Sequence, residues 1–236
     1  MSVSLSPSQW FDANSDWVVI AAYNEGTAIG DVVRAVRSRG YPVVVVDDGS
    51  ADDTWVHAHE AGAWTLRHPI NLGQGAALQT GMTFALEKGA DAIVTFDADG
   101  QHNPDEIAGM VRTLGDAQAD IVFGSRFLGG TENMPFMKRL MLKAAIIFSN
   151  VTSGVKLTDT HNGFRAMSAS AARKIRLRCN RMAHASEFIK LTARLDLKWV
   201  EYPVHIIYTD YSRAKGQKLT GMFEILKDLV IGKLNR

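Results

Sequence analysis

Three short apolar runs, each ending in a polar or acidic cluster, limit the folds open to this chain. Trp17-Val18-Val19-Ile20-Ala21-Ala22 leads into Tyr23-Asn24-Glu25-Gly26, and Val43-Val44-Val45-Val46 into Asp47-Asp48-Gly49-Ser50. Ala92-Ile93-Val94-Thr95-Phe96 leads into Asp97-Ala98-Asp99-Gly100-Gln101-His102. Unbroken apolar runs of this length read as strands covered on both faces. Helical patterns fall between them. Ile29, Val32, Val33 and Val36 recur at helical spacing and stop at Gly40, a C-cap signal. A second helix opens after Asp52, with Thr54 in its first turn, and a short strand is predicted near Trp64 to Leu66. Asn71-Leu72-Gly73-Gln74-Gly75 precedes an Ala-rich helix from Ala76 to about Lys88. A further helix runs from Pro104 to about Leu114, and a strand at Ile121-Val122-Phe123 closes in Gly124-Ser125-Arg126. Strands alternating with helices predict an α/β fold with a mainly parallel sheet and right-handed crossovers. Parallel strands carry all three polar clusters to one sheet edge, where open α/β sheets bind ligands.

The carboxylates Asp97 and Asp99 converge if the chain turns after its strand. With Gln101 they offer hard oxygens to Mg²⁺ or Mn²⁺ while leaving room for substrate phosphates. The competing reading is an acidic turn that caps the helix near Pro104. Charge distribution bears on this choice, because the net charge of +1 conceals a division. Residues 1–124 hold 6 Lys+Arg against 17 Asp+Glu, and residues 125–236 hold 20 against 8. An acidic half that holds metal would then face a basic half suited to phosphates, nucleic acid or anionic lipid, unless the basic half is only solvated surface. Divalent metal with basic residues suits a nucleoside diphosphate leaving group.

Other chemistries lack their signatures. The first strand-to-helix turn, AAYNEGTAIG, has no G-x-G-x-x-G, and no phosphate-loop or G-x-S-x-G pattern occurs. His57 and His59, two apart on a helix, face different ways and read as surface residues. His102, His161 and His184 lie near the polar loops and read as structural residues first, ligands second.

The second half is less regular. Residues 136–152 form a helical pattern with a broad apolar face, and Asp159 to Arg165 is a polar loop entering a short strand or turn. Glu187 to Leu195 reads as a helix and Trp199 to Tyr208 as a strand, followed by a basic loop to Lys218. From Leu219 onward an amphipathic helix is predicted, with lysines and Arg236 around its apolar face. At 236 residues the chain suits a single domain. It divides into an irregular arm at 1–16, an acidic metal-holding half at 17–126, a basic half facing anions at 127–218 and the terminal helix at 219–236. Cys179 is alone, and no run reaches the roughly 18 apolar residues of a membrane span. The N-terminus lacks the pattern of a secretory signal, so a cytoplasmic location is expected.

IAAYNE, VVDDGSADDT, NLGQGAAL, FDADGQH, GSRF and HNGFRAMS, in this order, resemble family 2 inverting glycosyltransferases of GT-A fold. Within that family they are most similar to the dolichol-phosphate mannosyltransferase-like enzymes, which glycosylate polyprenyl phosphates. The resemblance covers about Trp17 to Lys218. It implies a UDP- or GDP-sugar donor, a polyprenyl phosphate acceptor and a Mg²⁺ or Mn²⁺ cofactor. Ala21, Tyr23 and Glu25 match positions that hold the nucleotide, and Asp48 with Val46 those beside the base. Asp97, Ala98 and Asp99 match the D-x-D segment on the donor diphosphate. The resemblance puts the metal on Asp99 and Gln101, with Asp97 as a further candidate ligand. Arg126 and Arg213 match arginines facing the phosphates, and Arg139 aligns more loosely with one near the acceptor phosphate. With Asp99, Arg126 and Arg213 are the expected catalytic set. Ala21 and Gln74 depart from the Pro and Lys common in the family.

A phosphate acceptor is already an anion and needs no general base, unlike a sugar hydroxyl. A lipid acceptor makes 136–152 and 219–236 candidates for lying in the membrane interface, which would place the protein at the cytoplasmic membrane face. Packing on the sheet or on a second subunit is the alternative for both helices. A homodimer and a membrane-protein partner both stay open, and nucleic acid is not an expected partner. Three other functions compete. One is transfer by the same fold to a sugar or other hydroxyl, with Asp159 or Glu187 as base. A nucleotidyltransferase would need a basic Gly-rich loop that AAYNEGTAIG lacks. A non-catalytic nucleotide-sugar binding module would not need the full Asp97, Asp99 and Gln101 set.

Overall fold

The computed structural model describes residues 15–178 and 183–208. Arg213, the basic loop beyond Tyr208, the predicted helix at 219–236 and nearly all of the N-terminal arm lie outside the described residues. Strands β1 (Asp16–Ala22), β2 (Val43–Asp47), β3 (Trp64–Arg67) and β4 (Ala92–Asp97) are joined by helices α1 (Ile29–Arg37), α2 (Thr54–Glu60) and α3 (Gln74–Glu87). A 3₁₀ turn at Pro104–Glu106 leads into α4 (Ile107–Asp116). Then come β5 (Ile121–Glu132), α5 (Phe136–Ser153), β6 (Arg165–Ser168), α6 (Ala169–Lys174), α7 (Ala183–Arg194) and β7 (Trp199–Ile207). The seven strands form one sheet in the order β3-β2-β1-β4-β6-β5-β7.

The apolar runs are unbroken because both sheet faces are covered. Val18, Ile20, Val43, Val45, Val94 and Phe96 pack on one side with Ile29, Val33, Val36, Ile107 and Met110. Their neighbours Val19, Val44, Val46 and Ile93 point the other way, onto Ala77, Leu78, Met82, Ala85 and Phe188. Period-two alternation of side chains thus yields two cores from one run of apolar residues.

The sheet is mainly parallel, with one reversal that matters. Strand β6 runs antiparallel to both β4 and β5, with Arg165 opposite Thr95 and Phe123. Because β6 is reversed, the loop that precedes it opens where β4 and β5 end. Residues 159–164 therefore arrive at the edge that already carries the three polar clusters.

Strand β5 continues past Arg126 to Glu132, well beyond the predicted end. After an irregularity between Ser125 and Gly130, β5 resumes its pairing with β7. Helix α7 also starts earlier than predicted, at Ala183. The last strand ends beside the acidic turn, where Ile207 N–H donates to the Gln101 carbonyl (3.1 Å). No helix among the described residues is long and apolar enough to cross a membrane.

Candidate active site

Val46, Ala21 and Asp97 occupy adjacent register positions at the ends of β2, β1 and β4. Beyond that row the first two loops are laced together. Asn24 N–H donates to Ser50 Oγ (2.9 Å), Glu25 N–H to Thr54 Oγ1 (2.8 Å), and Ala51 N–H to Asn24 Oδ1 (2.9 Å). These bonds hold Tyr23, 46 % exposed, at the open side of the edge. Gly49 has φ +75°, and a Cβ there would sit 2.7 Å from the Ile70 carbonyl carbon, so only glycine suits this crossing of chains.

Asp48 is engaged by the protein. It accepts from Leu72 N–H (2.9 Å) and Gly73 N–H (2.7 Å), and its Oδ1 lies 2.7 Å from His68 Nδ1. The carboxylate thereby anchors the Asn71-Leu72-Gly73 turn ahead of α3. Next to it, Gly49, Ser50, Arg67, His68 and Pro69 line a cavity of about 370 Å³. Arg67 is tied to Asp47 (3.1 Å) and to the Ser50 carbonyl (2.9 Å).

In the acidic turn the two carboxylates have different surroundings. Asp97 Oδ2 lies 2.9 Å from Nε2 of His102. The His102 ring is buried against Phe96 and Phe164, with centroids 5.2 and 5.0 Å away. Burial works against ionisation of Asp97, but His102, Arg165 and His184 outweigh it and hold the carboxyl below the ordinary range. At Asp99 burial first, and then the charge of Asp97, push the carboxyl up, with Glu25 adding to the repulsion. Asp99 also has its charge favoured by His102, but too weakly to offset its surroundings. Its bonds come from Gln101, through the backbone N–H (3.1 Å) and the side-chain amide. Gln101 thus turns its amide nitrogen to Asp99. Ala98 between the acids is buried.

This donor set fits a divalent cation of one kind. No group of three or more His, Cys, Asp or Glu among the described residues forms an all-protein metal cage. One or two carboxylates with mutual repulsion suit Mg²⁺ or Mn²⁺ that takes its other ligands from water and diphosphate oxygens.

Across the edge lies a buried ionic knot. Arg126 donates from Nε to Asp159 (2.6 Å), from Nη1 to Tyr208 Oη (2.8 Å) and from Nη2 to the His161 carbonyl (2.9 Å). Its side chain is 7 % exposed and that of Asp159 is 0 % exposed. Burial disfavours the guanidinium charge, but Asp159 and Tyr208 outweigh that and raise its pKa. The sequence leads one to expect a guanidinium open to phosphate, whose loss would affect turnover far more than stability. In this conformation all three of its nitrogens are held by protein, so loss of Arg126 is expected to cost stability as well as turnover.

Arg139 is exposed on α5, whereas Lys138 turns inward. Lys138 Nζ lies 4.3 Å from the centroid of the Tyr208 ring. Burial, then Arg126, lower its pKa, while Asp99 opposes the shift. Lys138 is therefore a cation between the knot and the acidic turn that the sequence reading missed. The signal was present: Lys138, Leu142, Ala145 and Ser149 share one helical stripe, and Leu142 and Ser149 are buried. Tyr208 was missed as well, read only as a strand end. Of the remaining histidines, His57 and His59 are exposed, as expected, and His161 Nδ1 lies 2.8 Å from Thr160 Oγ1. Both oxygens of Glu187 accept from Arg178 N–H (3.0 Å).

Among solved structures, glucosyl-3-phosphoglycerate synthase from Mycobacterium tuberculosis, crystallised with Mn²⁺ and UDP-glucose, superposes with a TM-score of 0.70. The match covers 93% of this chain and 79% of that one at 18% identity, and it shows the fold as GT-A. The sequence defines the family: the model described as Glycosyl transferase family 2 matches residues 17–176, and the chain belongs to that family. It is similar to UDP-N-acetylglucosamine–dolichyl-phosphate N-acetylglucosaminyltransferase of Methanococcus voltae, 33% identical over 93% of this chain and 96% of the relative. It is also similar to polyprenol monophosphomannose synthase of Mycolicibacterium smegmatis, 29% identical over 93% and 88%.

Proposed function

We propose that this glycosyltransferase moves a sugar from a UDP- or GDP-sugar to a polyprenyl phosphate, with Mg²⁺ or Mn²⁺ bound at Asp97 and Asp99. The observation that carries this reading is the state of the candidate bases. A hydroxyl acceptor needs a carboxylate to take its proton. Asp159 is locked against Arg126 at 2.6 Å, and Glu187 is held by the backbone of Arg178. A phosphate acceptor needs neither, and it would meet the field of Arg126 and Lys138.

The nucleotide lies along the ends of β1 and β2, between Tyr23 and the cavity at Arg67 and His68, with its diphosphate at the acidic turn. A divalent cation held by Asp97 and Asp99 would offset charge on the departing diphosphate oxygens. Lys138 draws the acceptor phosphate to the opposite side of the sugar and offsets its repulsion from the donor. A phosphate oxygen forms the new bond to the anomeric carbon as the bond to the diphosphate breaks, inverting the configuration. Arg213, just beyond the described residues, is assigned to the same phosphates. This rests on its match to the family's phosphate-facing arginines.

The lipid reading has its own support in α5. Phe136, Met137, Leu140, Ile147 and Val151 are all more than half exposed, with Arg139 and Lys143 among them. Apolar residues interspersed with cations suit the headgroup boundary of a membrane, and we assign this face to the cytoplasmic membrane surface.

Incubation with radiolabelled UDP- and GDP-sugars and polyprenyl phosphate tests the reaction. Label should enter the organic phase for one donor with Mn²⁺ and not with chelator. Donor hydrolysis without lipid labelling would contradict the acceptor. Lys138→Ala should lower kcat/KM for the lipid phosphate about 10- to 100-fold, the scale of a lost charge-assisted hydrogen bond. Arg139→Ala should do less. An equal or larger effect at Arg139 would place the acceptor on the outer face of α5.

A further inference from the structure

We infer that Gly163 is a positioning residue for Asp97: the absence of a side chain there creates the slot in which the first carboxylate of the acidic turn is held. An ideal Cβ on Gly163 would lie 2.2 Å from Asp97 Oδ1, 2.4 Å from Oδ2 and 2.6 Å from Cγ. Such distances are far inside van der Waals contact, so the carboxylate rests against the bare Cα of Gly163.

Neither side of this contact is free to withdraw. Thr95, two residues before Asp97 and on the same face of β4, donates from Oγ1 to the Gly163 carbonyl (2.6 Å). The turn is also held by Phe164 N–H on Asn162 Oδ1 (3.1 Å), by Gly124 N–H on the Phe164 carbonyl (2.9 Å), and by Arg126 on the His161 carbonyl. On its other side Asp97 is fixed by His102, itself packed against Phe96 and Phe164. A methyl group at 163 must therefore swing the carboxylate out of its slot and break its contact with His102.

The consequence for Mn²⁺ rests on the metal reading above, while the consequence for His102 does not, so the test uses both. In the full-length chain, Gly163→Ala should shift the His102 imidazole ¹⁵N resonances and weaken Mn²⁺ binding, followed by electron paramagnetic resonance with UDP or GDP present, at least about tenfold, the scale of a misplaced supporting group. Circular dichroism should show the fold retained. Thr95→Val, which frees the Gly163 carbonyl without crowding Asp97, should move both readouts the same way by less, and it carries the test if Gly163→Ala does not fold. Unchanged His102 resonances in the folded variant would overturn the inference. Wild-type protein that binds no Mn²⁺ would instead overturn the metal assignment, with the resonance shift still deciding the role of Gly163.

Discussion

Replacing Arg126 with Met should destabilise the protein by about 3–5 kcal/mol, the range found when one member of a buried ion pair is removed. The cause is what remains behind. Asp159 has a fully buried side chain and would keep only backbone donors, from Arg126 N–H (3.1 Å) and His161 N–H (3.3 Å). Tyr208 and the His161 carbonyl would lose their partner too. Against a typical total stability of about 5–15 kcal/mol this is a large fraction. Arg126→Lys should rescue little, since one ammonium cannot reproduce three bonds in a planar fork. The double variant Arg126→Met with Asp159→Asn should recover part of the loss, because no uncompensated charge is left. Urea unfolding of the three variants checks this. A single Arg126→Met variant with wild-type stability and lost turnover would show instead that the guanidinium serves substrate alone.

Asp99→Asn should behave in the opposite way. Burial and the neighbouring Asp97 already disfavour its charge, so removing that charge relieves repulsion. The metal-free variant should unfold at the same temperature as wild type or slightly higher at neutral pH, where Asp97 is ionised. The folded-state pKa of Asp99 is raised, so its ionised form is a cost to the fold, one that appears as pH rises through the carboxylate range. Binding should suffer heavily. Loss of a direct oxygen ligand should exceed the roughly 10- to 100-fold seen for supporting groups, so Mn²⁺-dependent nucleotide affinity should fall more than about 100-fold. Calorimetric titration of UDP and GDP with and without Mn²⁺ measures this directly. Unchanged metal-dependent affinity would remove Asp99 from the metal site.

The contrast between these two residues shows what the sequence could and could not reveal. The run from Ala92 to Phe96 and the paired acids after it are local features, and strand periodicity alone carries them to a sheet edge. The surroundings of Arg126 are not local. Its partners come from positions 159, 161 and 208, and only a fold that reverses β6 and ends β7 beside Gln101 assembles them. An arginine just after an apolar run reads as exposed because burying it demands such partners. The reversal of β6 was equally hidden, since four residues that include a buried Arg165 show no alternation and carry no mark of direction. Lys138 was legible in principle from its place on the inward stripe of α5, whereas the adjacent Arg139 matched the family pattern and drew the assignment.

The central claim is that the acceptor is a phosphate. The most direct test offers polyprenyl phosphate and the corresponding polyprenol together, in one reaction with the donor and Mn²⁺, and identifies the labelled lipid. The account predicts label on the phosphate-bearing lipid alone, with the anomeric configuration inverted and none formed in chelator. Label on the free alcohol would require a general base and would contradict the assignment built on Asp159, Arg126 and Lys138.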